Sequence, residues 1–267
     1  MQVPPSPVPG VRIIGHRGDP GRAPENTLPS IRAAIEAGAD GVEWDIHVCG
    51  SGEPVLIHDA TVDRTTDGTG AVADLPLSRL RELDAGSWFG ERHGGTPIPT
   101  LGEALDLVHP SGMEIHCEIK GVRDPADAAG ILEEFRRRAL LPRVFLISFD
   151  AGILEALLLQ TVEWGNSGGD LRVGQIVGED EGLEEALEWV RGTRGAILSP
   201  DRRILLSDPE RTRGWIEEGL TLSPWTVDHP AEADDLAGMG VARLTTNRVR
   251  DMLDWRARRG PEGGSPS

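Results

Sequence analysis

Several residue types are rare or missing in this chain of 267 residues. It has no tyrosine, two cysteines, and one lysine, Lys120, beside 26 arginines. Cys49 and Cys117 have neither the spacing of a metal site nor that of a disulfide framework, which fits a reducing compartment. No apolar run approaches the ~18 residues that a membrane span needs, and residues 1–10 contain four prolines but no apolar segment of a signal peptide. We therefore expect a cytoplasmic protein without stable membrane insertion.

Positive charge is also scarce. The 27 lysines and arginines face 44 aspartates and glutamates, which gives a formal net charge of −17. Nucleic acids and anionic membrane surfaces both need a basic face on their protein partner, so this charge argues against either. An acidic protein also repels an anionic small molecule, unless a bound divalent cation reverses the charge locally.

The length suits one large domain, and a (β/α) barrel typically takes ~250 residues. Short apolar segments that resemble strands alternate with helical patterns. The predicted strands are 11–15, 41–46, 114–119, 144–148, 171–177, 195–198, 220–227 and 241–245, and the predicted helices are 30–37, 152–161, 183–191, 209–218 and 231–239. Eight parallel strands close a TIM barrel. A doubly wound open sheet is the alternative, which is weakened because no Gly-rich nucleotide-binding turn follows the first strand.

The alternation of strands and helices is interrupted between residues 60 and 110. This stretch is rich in turn residues, including 67–70, and is too long for a simple connection. We predict an α/β fold, a TIM (β/α)8 barrel with a small inserted subdomain after the second barrel strand. The predicted organisation is a flexible Pro-rich arm (1–10), one barrel domain (11–258) with an insertion at about 60–110, and a disordered tail (259–267).

Three carboxylates lie at the predicted ends of neighbouring strands. Glu43 and Asp45 are two residues apart, so on a strand their side chains point to the same face. Glu118 lies at the end of the next predicted barrel strand. Three carboxylates without cysteine or histidine suit a hard cation, Mg²⁺ or Ca²⁺. An ordinary strand end with exposed acids is the alternative for Glu43 and Asp45 alone, and Glu118 shifts the balance towards a metal site.

Two histidines follow apolar runs in the same way. His16 ends the first predicted strand, and His58 ends the run at 55–57. Cleavage of a phosphodiester needs a base for the nucleophile and an acid for the leaving oxygen, and histidine serves both roles near neutral pH. A single histidine in a turn is more often structural, but two beside a carboxylate cluster favour catalysis. No such neighbours accompany the other histidines, which are His47, His93, His109, His116 and His229.

Arg17 and Lys120 are the candidate phosphate-binding residues. A guanidinium can bind phosphate oxygens bidentately, and Lys120 shares the face of Glu118, where a salt bridge to the acids is the alternative. Trp225, at the end of the seventh predicted strand, either packs against a glyceryl group or belongs to the core. The tripeptide at 25–27 either orients Arg17 or the metal shell, or caps the first helix.

Taken together, these motifs resemble the glycerophosphodiester phosphodiesterases. The matching segments are His16-Arg17-Gly18, Pro24-Glu25-Asn26-Thr27, Gly38-Ala39-Asp40 with Glu43 and Asp45, His58-Asp59, Asp63-Arg64-Thr65-Thr66 with Gly68 and Gly70, Ile98-Pro99-Thr100-Leu101, Glu118-Ile119-Lys120, and Trp225-Thr226-Val227. The resemblance implies a TIM barrel with a small inserted subdomain, a Mg²⁺ or Ca²⁺ site at Glu43, Asp45 and Glu118, and an acid–base pair of His16 and His58.

The chain departs from the family pattern in two places. The family usually has Thr-Asp after its last strand, where this chain has Thr246-Asn247. The usual Thr-x-Asp-Gly segment before the second histidine is replaced by residues 49–53. The first departure affects the eighth strand-to-helix loop, and the second indicates a different turn.

We therefore expect metal-dependent hydrolysis of a small-molecule glycerophosphodiester to sn-glycerol 3-phosphate and an alcohol, with His16 favoured as base and His58 as acid. One alternative is a lysophospholipase D-type or cyclising phosphodiesterase that acts on a lipid diester, for which Trp88-Phe89 is the only hint of an apolar surface. The other is a non-catalytic barrel that binds phosphodiesters. The alcohol group, the metal, the nucleophile (water or the 2-hydroxyl of the substrate) and the oligomeric state are left open by the sequence.

Overall fold

The computed structural model describes residues 10–163 and 171–259. Its strands are β1 (Arg12–Gly15), β2 (Gly41–Val48), β3 (Pro54–Leu56), β4 (Glu114–Ile119), β5 (Val144–Ser148), β6 (Arg172–Val177), β7 (Ile197–Pro200), β8 (Thr221–Leu222) and β9 (Arg243–Thr246). Its α-helices are α1 (Leu28–Ala37), α2 (Leu77–Leu80), α3 (Leu101–Val108), α4 (Pro125–Arg137), α5 (Ala151–Glu163), α6 (Leu183–Gly192), α7 (Arg202–Ser207), α8 (Pro209–Glu217), α9 (Pro230–Gly238) and α10 (Val249–Arg259).

Eight of the strands form a parallel sheet that nearly closes on itself. Their order is β8-β7-β6-β5-β4-β2-β1-β9, while β3 lies outside this order and pairs antiparallel with β2. The segment after β8 reaches β9 through two backbone hydrogen bonds, from Val227 N to Thr245 O (2.8 Å) and from Thr245 N to Pro224 O (3.0 Å). The predicted TIM barrel is therefore confirmed, and the doubly wound open sheet is wrong.

The main core lies between the barrel wall and the helices. Trp44, Ile115 and Leu146 point outward from neighbouring strands and are fully buried under the surrounding helices. Because parallel barrel strands are covered on both faces, their sequences are nearly continuous apolar runs. The register places Glu43 and Asp45 on the opposite, inward face of β2, towards the barrel axis.

A polar layer fills the amino-terminal end of the barrel below the predicted site. Glu114 lies 3.0 Å from Arg243 Nε and 2.9 Å from His116 Nε2. His116 is thus a buried side chain with a partner in the interior. An apolar layer of Phe145, Ile147 and Ile176 lies above it. These two layers fill the barrel interior from its amino-terminal end. The carboxyl ends of the strands are therefore the side on which the interior is open to a ligand.

Residues between β2 and α3 form an apolar cluster of their own. We call it the satellite cluster, and its buried members are Cys49, Val55, Ile57, Val62, Val72, Leu80, Leu83, Ala85 and Ile98. α3, at the end of the stretch 60–110, packs in the outer helical layer between α1 and α4. The division into arm, barrel, insertion and tail stays a prediction, and residues 1–9 and 260–267 lie outside the described part of the chain.

The predicted strand at 220–227 pairs regularly only over Thr221–Leu222. Pro224 has no N–H to donate to a neighbouring strand, so the chain continues as an irregular segment that bridges to β7 at Trp225.

Among the described residues, no helix has the length and apolar character that crossing a membrane requires.

Candidate active site

The predicted site residues gather at one end of the barrel, where β1, β2 and β4 end and where the segments after β3 and β8 carry His58 and Trp225. They surround an open-mouthed cavity of about 100 Å³. The predicted residues that line this cavity are His16, Arg17, Glu43, His58, Glu118, Lys120 and Trp225. Asp45, the remaining one, is fully buried beneath it. In a TIM barrel this end carries the active site.

Glu43, Asp45 and Glu118 form a buried carboxylate triad. One carboxylate oxygen from each lies within 4.8 Å of the others. The triad forms because Asp45 and Glu118 are register partners on adjacent parallel strands, and Glu43 lies two residues earlier on the same face. Such a group could hold a metal ion.

The three carboxylates of the triad repel one another in a buried environment. Burial and the charges of Asp45 and Glu118 raise the pKa of Glu43 well above its usual value. Burial and Asp45 raise the pKa of Glu118 to about 7. Burial also acts to raise the pKa of Asp45, but the positive charges of Lys120 and Arg17 hold it below its usual value. One carboxylate is stabilised in its charged form and two are not, so a further cation would relieve the repulsion.

The oxygen atoms of the triad are only partly satisfied. Asp45 Oδ1 and Glu118 Oε1 are buried and accept no well-aligned hydrogen bond. Lys120 Nζ lies 3.0 Å from the first and 2.7 Å from the second. Three buried carboxylates with a single ammonium group beside two of them, and with no sulfur or nitrogen donor, suit a hard divalent cation. The residues present therefore fit the cation that the sequence predicts.

Arg17 is fixed in a left-handed conformation, with φ of 54°. Its backbone N–H donates to Glu43 Oε2 (2.8 Å), its Nη1 lies 2.8 Å from Glu25 Oε1, and its Nε lies 3.2 Å from Asp45 Oδ2. Asn26 Nδ2 donates to Asp45 Oδ2 at 2.8 Å. Thr27 caps α1, where its side chain accepts from Ser30 N. Residues 25–27 thus contact Arg17, hydrogen-bond to Asp45 and cap α1.

His16 lies between the triad and the last strand of the barrel. Its Nδ1 is 2.8 Å from Asn247 Oδ1, and its Nε2 is 3.9 Å from Glu43 Oε2. Burial, assisted by the charge of Arg17, lowers the pKa of His16 to about 4. The ring is therefore neutral at physiological pH, which is the state that a proton acceptor needs.

His58 reaches the cavity from the antiparallel hairpin outside the barrel wall. Its Nδ1 lies 2.7 Å from Asp59 Oδ1, and Arg64 Nε lies 2.7 Å from Asp59 Oδ2. Arg64 Nη2 also lies 2.7 Å from Glu25 Oε1, so an alternating series of charges connects this loop with Arg17.

Trp225 and Phe149 form the apolar side of the cavity. Their rings make an edge-to-face contact with centroids 5.9 Å apart, and Trp225 Nε1 donates to Ser199 O at 2.9 Å. Phe149 is 51% exposed at the rim. The sequence does not point to Phe149, to the contact of Asn247 with His16, or to Asp228, which accepts from Asn247 Nδ2 at 2.9 Å. It marks Asn247 only as a departure from the family pattern.

Comparison with known proteins agrees with this arrangement. Residues 16–251 match the glycerophosphoryl diester phosphodiesterase family. A glycerophosphodiester phosphodiesterase of Caldanaerobacter subterraneus subsp. tengcongensis is 32% identical over 244 residues, which cover 91% of this chain and 96% of the relative. Glycerophosphodiester phosphodiesterase 1 of Mus musculus is 31% identical over 242 residues, which cover 82% of this chain and 72% of the relative.

Solved structures give the same result. A phosphodiesterase of Oleispira antarctica, in complex with the product sn-glycerol-3-phosphate, superposes with a TM-score of 0.79 at 27% identity, covering 91% of this chain and 96% of that one. The resemblance identified from the motifs is confirmed, and with it the enzyme class, a phosphoric diester hydrolase. The chain belongs to the glycerophosphoryl diester phosphodiesterase family.

Proposed function

We propose that the protein hydrolyses small-molecule glycerophosphodiesters to sn-glycerol 3-phosphate and an alcohol, with a divalent cation and the histidine pair His16 and His58. The observation that carries this proposal is the composition of one cavity, where a buried carboxylate triad, two cationic side chains and two histidines meet. The product named for the O. antarctica structure supports the choice of product. The free, buried cysteines support the prediction of a reducing, cytoplasmic compartment.

Glu43, Asp45 and Glu118 would hold the Mg²⁺ or Ca²⁺ ion. When bound, the ion supplies Lewis-acid stabilisation and orientation of the phosphoryl group. Lys120 Nζ lies 3.0 Å from Asp45 Oδ1 and 2.7 Å from Glu118 Oε1. Its ammonium group would therefore also contact a phosphoryl oxygen bound beside the triad.

The side chains around the triad account for the remaining steps. Arg17 and Lys120 stabilise the negative charge that develops on the phosphoryl oxygens in the transition state. His16 accepts the proton of the nucleophile while the nucleophile's oxygen forms its bond to phosphorus. His58 donates a proton to the oxygen of the leaving alcohol while the bond between that oxygen and phosphorus breaks. Trp225 packs against the glyceryl carbons.

A panel of substrates assayed first in EDTA and then with Mg²⁺ or Ca²⁺ restored tests the function. We expect release of sn-glycerol 3-phosphate from glycerophosphocholine and related diesters, loss in EDTA, and recovery with one of the ions. Faster turnover of a lysophospholipid would favour the lipid-diester alternative. A cyclic phosphate detected by ³¹P NMR would identify the 2-hydroxyl of the substrate as nucleophile. No chelator-sensitive diesterase activity on any substrate would contradict the proposal and favour a binding barrel.

Substitution of the histidine pair tests the acid–base assignment. The double variant His16→Ala/His58→Ala should lose about 10²- to 10⁴-fold in kcat, the usual contribution of general acid–base catalysis. His109→Ala is the matched control, because His109 is exposed and is not among the residues that line the cavity. Wild-type turnover by the double variant would refute the assignment.

A further inference from the structure

Asp228 holds the side chain of Asn247 through a set of hydrogen bonds. Asp228 Oδ1 accepts from Thr246 Oγ1 at 2.9 Å and from the backbone N–H of Asn247 at 2.8 Å. Asp228 Oδ2 accepts from Asn247 Nδ2 at 2.9 Å. An ionised carboxylate has only acceptors to offer. The amide of Asn247 therefore faces Asp228 with its nitrogen, and its oxygen must point the other way.

That oxygen faces the ring of His16. Asn247 Oδ1 lies 2.8 Å from His16 Nδ1. A carbonyl oxygen can only accept, so Nδ1 has to carry a hydrogen. Nδ1 keeps this hydrogen whether the ring is neutral or protonated. Nε2, which lies on the side of Glu43, is therefore the ring nitrogen that can gain and lose a proton.

The barrel itself places the two residues together. β1 and β9 are adjacent, and Gly15 is the register partner of Thr246. His16 N donates to Thr246 O at 2.8 Å. His16 and Asn247 each follow this last pair, so their contact is a consequence of strand order although they are 231 residues apart in the sequence.

We propose that Asn247, held by Asp228, is a positioning residue that fixes the Nδ1–H tautomer of His16 and leaves Nε2 as the atom that accepts the proton of the nucleophile. The catalytic meaning of this tautomer rests on the proposed function. The tautomer is nevertheless a property of the folded protein and exists without substrate.

His58 has a comparable contact on its own Nδ1. His58 Nδ1 lies 2.7 Å from Asp59 Oδ1, and His16 Nδ1 lies 2.8 Å from the amide oxygen of Asn247. Both partner oxygens accept, so each ring carries its hydrogen on Nδ1 and leaves Nε2 available for proton transfer.

Ring-nitrogen ¹⁵N NMR of the substrate-free protein at neutral pH tests the tautomer directly. The His16 signals are those that disappear in His16→Gln. We expect His16 Nδ1 to show the shift of a protonated nitrogen and Nε2 that of an unprotonated one. In Asn247→Leu both signals should move towards the average of the two tautomers. An Nε2–H tautomer in the wild type, or an unchanged spectrum in Asn247→Leu, overturns the proposal.

Kinetics separate positioning from substrate binding. Asn247→Leu should lower kcat about 10- to 100-fold, as is typical for residues that orient a functional histidine, and should leave KM nearly unchanged. A rise in KM that exceeds the fall in kcat overturns the proposal, because Asn247 would then contact the substrate. A fixed Nδ1–H tautomer in a protein without diesterase activity would support the positioning and contradict the proposed function, so the two failures are distinguishable.

The double variant Asp228→Asn/Asn247→Asp distinguishes loss of positioning from a folding defect in Asn247→Leu. The side chain at 228 then accepts from Thr246 Oγ1 and donates to the new carboxylate, which again accepts from His16 Nδ1. We expect the Nδ1–H tautomer to persist and kcat to recover above that of Asn247→Leu. Equal loss of kcat in both variants overturns the proposal.

Discussion

Single residues of this site are recognisable in the sequence, but most of their partners are not. Glu43, Asp45 and Glu118 stand at the ends of apolar runs, and strand periodicity predicts that they converge. Asn247 meets His16 only because the barrel closes between β9 and β1. A contact that spans nearly the whole chain has no local signature, so Asn247 and Asp228 could not be predicted as site residues.

The lowered pKa of His16 predicts a specific pH dependence of stability. The pKa is about 4 in the folded protein against an ordinary 6.5, so the unfolded chain binds more protons between these values. The contribution of His16 to the free energy of unfolding is therefore lost as pH falls from 6.5 towards 4, by at most about 3 kcal/mol. Urea unfolding of the wild type and His16→Gln across this range measures it. The stability of the variant should depend less on pH, and equal dependence in both proteins would contradict the prediction.

At the scale of elements, the sequence predicts strands better than helices. β4 and β5 form with the predicted bounds, because barrel strands are continuous apolar runs between polar turns. α4 and α10 were not predicted. The residues that α10 buries are Val249, Met252 and Trp255, which leave most of its sequence polar and hide its helical pattern.

The loop between β1 and α1 depends on a close approach at Gly18. Its φ is +92°, and a Cβ there would lie 2.6 Å from the backbone carbonyl carbon of Ser30. Gly18→Ala should therefore destabilise the protein by about 1–3 kcal/mol and displace His16 and Arg17. Gly38→Ala is the matched control, because its φ of +84° is similar but no atom lies within 4 Å of the added Cβ.

Thermal unfolding and kcat measure both variants. The control should show the cost of the positive φ without the loss of activity. If Gly18→Ala and Gly38→Ala behave alike, the close approach to Ser30 is not what requires glycine.

Glu25 joins two loops that carry proposed catalytic and phosphate-binding residues. Its Oε1 lies 2.8 Å from Arg17 Nη1 and 2.7 Å from Arg64 Nη2. Glu25→Gln removes the negative charge between the two guanidinium groups, so Arg17 and the His58 loop should shift apart. We expect kcat to fall about tenfold or more, with little change in Tm. Steady-state kinetics with Glu82→Gln, which removes an exposed ion pair, provides the comparison. Equal kinetics in the two variants would contradict a joining role.

At the scale of the whole molecule, the net charge of −17 opposes an anionic substrate. Salt screens charges beyond roughly 10 Å at 0.1 M ionic strength. For a diester with a neutral alcohol, such as glycerophosphoglycerol, kcat/KM at saturating metal should therefore rise about twofold or more between about 20 and 200 mM NaCl. Zwitterionic glycerophosphocholine should respond much less. A fall for the anionic diester would show that the local positive charge of the site dominates its approach.

The satellite cluster bears on how the protein loses activity when it is heated. His16 and the triad are fixed by the barrel, whereas His58 follows β3, whose Val55 packs in the satellite cluster and whose Leu56 packs in the main core. The proposed proton donor therefore depends on the satellite cluster as well as on the barrel. Partial opening of that cluster would displace His58 and leave the proposed metal and phosphate sites of the barrel in place. On heating, activity should therefore be lost at a lower temperature than the one at which the barrel unfolds. Binding of metal and phosphate should persist after turnover has stopped.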